Sequence, residues 1–159
     1  MALIRSPRPL TSNVGAQIMR LAVLVFTLLA SSIAWAADPC TDERARDAEM
    51  ATDSMKTWSA LYAGFKRYRG CDDGAIAEGF TEAVVHHLAS DWKSLPEAAA
   101  LVQKHPSFRA FFLRHIDASA DADELKKIGT LASSQCPKNL AALCSDIGKS
   151  VAQALSEAE

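Results

Sequence analysis

The sequence predicts an all-α fold: a compact bundle of five to six amphipathic helices, stabilised by disulfides. Three observations carry this prediction. Apolar residues recur at spacings of three and four beyond residue 40, and no run of alternating β-branched residues occurs. The connections between these stretches are short and marked by Gly, Pro and capping residues. Four cysteines, Cys40, Cys71, Cys136 and Cys144, all follow an N-terminal export signal, and an even cysteine count in a small exported domain reads as a disulfide framework.

The export signal comes first. Residues 21–30 read LAVLVFTLLA, with Arg20 before them and Ala34-Trp35-Ala36 after. A positive region, an apolar core and small residues at −3 and −1 make residues 1–36 a cleaved secretory signal. A start at Met19 would give a signal of more usual length. Pro39 directly before Cys40 argues against lipidation of that cysteine. No later stretch approaches the roughly 20 apolar residues that a membrane-spanning helix needs. The expected location is therefore the periplasm or the medium. Cleavage removes Arg5, Arg8 and Arg20 and no acid, so the net charge moves from −2 to −5, with 14 basic residues against 19 acidic ones. That balance disfavours nucleic acid and anionic membranes as partners, because both reward excess basic charge. Residues 37–159 suit one helical domain.

The first helix is predicted from about Thr41 to Arg69, with Met55, Trp58, Leu61, Tyr62, Phe65 and Tyr68 on one stripe and Gly70 as its stop. Thr52-Asp53-Ser54 is the one point where it could break and be capped afresh. A second helix follows from about Asp73 to Lys93, with Ile76, Phe80, Val84 and Leu88 inward. Ser94 and Glu97 form a capping box for a short third helix that ends near His105-Pro106. Ser107 caps a fourth, with Phe108, Phe111, Phe112 and Ile116 inward. Asp121 and Glu124 open a fifth through Leu125, Ile128 and Leu131. Beyond Cys136-Pro137, Asn139 caps the last helix, whose stripe is Leu140, Leu143, Ile147, Val151 and Leu155.

Cysteine pairing depends on the first helix. Left unbroken, its 29 residues hold Cys40 and Cys71 roughly 40 Å apart, against the roughly 4.4–6.8 Å between Cα atoms that a bridge allows. The expected pairs therefore join Cys40 and Cys71 to Cys136 and Cys144, unless the helix breaks near Thr52. No CxxC redox motif or CxxCH haem site occurs.

Two histidines interrupt apolar faces. His87 projects between Ile76 and Phe80, with Asp91 at i+4. His115 projects between Phe108 and Phe111. Should these faces meet, His87, Asp91 and His115 would share a pocket fit for a small ligand, a metal with open positions, or a base oriented by a carboxylate. His86 points away from that face. The segment from Asp117 to Asp123 resembles half of a calcium loop, but Ala122 replaces the required glycine and Ile128 the closing glutamate. It reads instead as an acidic turn feeding a helix N-terminus.

Lys66, Arg67 and Arg69 close the first helix, where cations complement the dipole. The stripe above them is wide and aromatic, and Trp and Tyr are the residues that anchor protein interfaces. No nucleophile elbow, HExxH, phosphate loop or other cofactor motif occurs. The leading expectation is therefore a non-enzymatic exported protein, of the inhibitor, immunity or adaptor kind. It would bind a protein partner through Trp58, Tyr62 and Tyr68, with Lys66 and Arg67 at the rim and no cofactor. The second expectation is a ligand-binding, metal-binding or hydrolytic site built on His87, Asp91 and His115.

Overall fold

A computed structural model describes residues 39–158, so the predicted signal segment 1–36 lies outside the described residues. The described residues form seven α-helices: α1 (Asp42–Thr52), α2 (Trp58–Tyr68), α3 (Gly74–Ser90), α4 (Leu95–Lys104), α5 (Pro106–Arg114), α6 (Ala122–Ser134) and α7 (Ala141–Glu157). Single 3₁₀ turns precede α3, α4 and α7, at Arg69–Cys71, Trp92–Ser94 and Lys138–Leu140. The described residues contain no β-strand. The all-α prediction holds, with one helix more than expected.

The extra helix comes from the break at Thr52. The Thr52 hydroxyl bonds back to the Glu49 carbonyl at 2.8 Å, and Ser54 does the same to Ala51 at 2.7 Å. Such side-chain bonds compete with helix propagation. The chain then reverses, and Thr57 caps α2 by accepting from the Ala60 amide at 3.1 Å. Two glycines let the neighbouring helices approach. A Cβ on Gly64 would collide with Met55 Cε, and one on Gly79 would lie 2.7 Å from Thr52 Cγ2.

This reversal corrects the cysteine pairing. With α1 and α2 folded into a hairpin, Cys40 meets Cys71 at a Cα separation of 4.9 Å, and Cys136 bridges Cys144 at 6.1 Å. The expected cross-links between the first and last helices do not form, because the unbroken 29-residue helix they assumed does not exist.

Other boundaries differ for local reasons. Ser94 caps nothing: its hydroxyl donates to the Asp91 carbonyl at 2.7 Å and accepts from Trp58 Nε1 at 2.7 Å. Pro106 starts α5 directly, displacing the expected cap at Ser107. A 3₁₀ turn over Asn139 displaces the cap expected there. Asp121 caps α6 as predicted, accepting from the Asp123 and Glu124 amides at 3.0 and 2.9 Å. Gly74 opens α3 at φ +52°, a conformation that costs an L-residue but not glycine.

Trp58, Phe80, Phe108 and Phe112 are the largest wholly buried side chains, with Leu61, Leu88, Leu95, Leu125, Ile128 and Ile147 around them. Rings continue outward in contact, Phe65 to Phe111 at 4.9 Å and Phe80 edge-on to Phe111 at 4.9 Å. Such pairs add about 0.5–1.5 kcal/mol each beyond their burial.

Candidate functional site

The aromatic stripe divides between core and surface. Trp58 is 2% and Tyr68 6% exposed, so both belong to the core and neither can anchor a partner in this fold. Tyr62 is half-buried, wedged between Phe108 at 5.0 Å and the stacked ring of His105 at 4.7 Å. A row of cations stands over the outer rings. Lys66 Nζ lies 5.0 Å from the Tyr62 centroid, and the guanidinium of Arg67 lies 5.1 Å from that of Tyr68. Arg69 sits 5.7 Å from Phe65, and Arg114 5.8 Å from Phe111. The first three are the cations singled out in the sequence; Arg114 joins them from the end of α5. Arg67 also faces Asp47 of α1 at 3.6 Å, an exposed pair. A guanidinium on a ring face keeps its N–H fork turned outward, the arrangement that recognises carboxylates.

The three residues of the alternative pocket are not brought together. His87 is half-buried on the side of α3 that faces α2. Its Nε2 is 2.8 Å from the Met55 carbonyl, and its ring lies 4.9 Å from Trp58. Asp91 is exposed and has left the helix, with φ −134° and ψ 57°, so the i+4 alignment with His87 is lost. Among the described residues, no group of three His, Cys, Asp or Glu side chains could hold a metal ion.

His115 instead joins a buried polar chain that the sequence pattern did not reveal. It is 2% exposed and terminates α5 as its C-cap. Nδ1 lies 3.0 Å from Thr81 Oγ1, and Nε2 lies 3.2 Å from each carboxylate oxygen of Asp72. Thr81, also 2% exposed, donates to Asp117 Oδ2 at 2.9 Å. The other Asp117 oxygen accepts the Ser119 amide at 2.8 Å and its hydroxyl at 2.6 Å. Arg114 pairs with Asp72 from the solvent side. Burial acts to raise the Asp72 carboxyl. The hydrogen bond and charge of His115, with Arg114, outweigh that and hold it below its usual range. At Asp117, burial is likewise outweighed by the Ser119 and Thr81 hydrogen bonds, with the charge of His115, and the net shift is again downward. The partners lie 34 to 43 residues apart in sequence, so helical periodicity carried no signal for them.

An open cleft of about 960 Å³ runs along α1, α3 and the start of α6. Its walls carry Glu49, Asp53, Glu78, Glu82, Asp121 and Glu124, and His86 faces Glu124 at 3.4 Å. A small-molecule site is usually apolar with a few converging polar groups, and this cleft has the opposite character. Comparison with known proteins returned no matching family model, curated protein or solved structure.

Both disulfides suit an oxidising compartment. No described helix is long and apolar enough to cross a membrane.

Proposed function

We propose that this is an exported, non-enzymatic protein that binds another protein through the cation-covered edge of α2. The contact face is Tyr62, Lys66 and Arg67, extended by Arg69. The partner presents carboxylates to it. One observation carries this reading: the exposed cations of this edge are held over aromatic faces, Lys66 over Tyr62 and Arg69 over Phe65 among them. Cations fixed in this way lose less side-chain entropy on binding, and preorganisation is where much interface affinity originates. Tyr and Arg are also the residues enriched at such contacts. Export is supported by the N-terminal apolar run with its small-residue cleavage site and by the two disulfides downstream. An inhibitor, immunity or adaptor role fits this class of binding.

The test is a comparative capture. Oxidised protein and its Lys66→Glu/Arg69→Glu variant are each tagged at the C-terminus and exposed to envelope and secreted fractions of the source organism. Matching far-UV spectra establish that both are folded. The reading expects one stoichiometric protein retained by the unaltered chain and lost by the variant, with retention falling as salt rises. Equal retention by both chains, or none by either, overturns it.

A further inference from the structure

We infer that His115 is held as an imidazolium with both ring N–H groups donating, so that it acts as a proton-dependent lock between the α2–α3 turn, α3 and the α5–α6 connection. The hydrogens along the buried chain number too few for a neutral ring. Thr81 has a single hydroxyl hydrogen, and it is directed at the Asp117 carboxylate, which can only accept. Thr81 Oγ1 is left to accept, so His115 Nδ1 must donate to it across 3.0 Å. On the other side of the ring, Nε2 faces the Asp72 carboxylate, again an acceptor only. A neutral imidazole has one N–H and cannot serve both partners.

Two further features agree. Asp72 Oδ1 is buried and makes no hydrogen bond, yet it lies 3.2 Å from Nε2. A buried carboxylate oxygen in that position is compensated by charge on the ring rather than by a bond of its own. The ring also terminates α5, where the negative end of the helix dipole favours a cation. The groups facing His115 are Asp72 from the α2–α3 turn, Thr81 from α3, and Asp117 from the following connection. Arg114 stands behind Asp72 as the opposing cation. Phe80 at 5.7 Å and Phe111 at 4.2 Å close the remaining sides.

The consequence has a direction. Loss of one ring proton forces a choice. Either Asp72 faces a bare lone pair, or Thr81 turns its hydrogen to Nδ1 and Asp117 loses a donor. The first loosens the α2–α3 turn, and the second loosens the connection that carries Ser119, Ala120 and Asp121, which form one wall of the acidic cleft. The doubly protonated ring therefore locks this wall of the cleft, and loss of its proton releases it.

The deciding experiment is long-range ¹H–¹⁵N correlation NMR of the folded, oxidised protein at pH 7.5. His115 is assigned by ring contacts to Phe111 and Phe80 and distinguished from His86, His87 and His105. The expected result is two protonated nitrogens on His115. Thr81→Val, which cannot accept from Nδ1, leaves one protonated nitrogen at the same pH, and Thr81→Ser restores the pair. A single protonated nitrogen in the unaltered protein overturns the inference, whether or not the Thr81 variants fold. So does a Val variant that folds and keeps both.

Discussion

Replacing Cys40 and Cys71 by alanine opens the larger of the two covalent loops. The two bridges span 31 and 8 residues of sequence. Loop-closure entropy then assigns about 3.7 kcal/mol to the first and about 2.5 kcal/mol to the second, an expected gap of about 1.2 kcal/mol. The structure adds where the loss falls. Helix α1 buries only Ala48 completely. Its ties to α2 include Arg44, whose guanidinium donates to the Arg67 carbonyl, and the exposed Asp47–Arg67 pair, and an exposed pair adds at most about 1 kcal/mol. Without its tether, α1 should open ahead of the rest. Urea unfolding followed by circular dichroism measures the global cost of C40A/C71A beside C136A/C144A. Hydrogen exchange of the α1 amides measures the local one. The reasoning is refuted if the shorter loop proves the more costly to lose, or if α1 keeps its protection once Cys40 and Cys71 are gone.

Gly79→Ala should lower the melting temperature although alanine favours helix by about 1 kcal/mol. Its Cβ would sit 2.7 Å from Thr52 Cγ2 and 2.9 Å from Thr52 Cβ, and such overpacking costs about 1–3 kcal/mol. Gly148→Ala in α7 should do the reverse, raising stability by up to about 1 kcal/mol, since nothing lies within 4 Å of the added carbon. Acid unfolding should report Asp72 and Asp117. Their carboxyls are held below the ordinary 3.8, so the stability they add is present above that pH and is lost as pH falls through the depressed values. Asp72→Asn should flatten that limb in a pH series of melting temperatures. Phe112→Ala, at a position with no exposure, should cost about 3–5 kcal/mol in urea unfolding.

Periodicity made most of the fold legible. The inward residues of α3, α5, α6 and α7 follow spacings of three and four, and Asp121 announces its own cap. What escaped depends on distant residues. Thr52-Asp53-Ser54 was legible as a place where the helix could break, but no glycine or proline makes the reversal certain, and the room for it is made by Gly64 and Gly79 on other helices. Ser94 has the residue type of a cap, but Trp58, 36 positions earlier, engages its hydroxyl. His115 stood out as a polar residue on an apolar face, yet its partners Asp72 and Thr81 belong to a different helix and turn. The aromatic stripe was legible as a stripe. Its division into core Trp58 and Tyr68 and half-covered Tyr62 owes to distant residues, since His105 at the α4–α5 junction and Phe108 of α5 flank the tyrosine.

The bridges join consecutive cysteines, first to second and third to fourth. When such a chain is delivered N-terminus first to an oxidant, each thiol's proper partner is the next to emerge. Of the three ways to pair four cysteines, the native one is also the one that order of arrival favours. Pairing in order of arrival then gives the native bridges directly, without exchange between an earlier bridge and a later thiol.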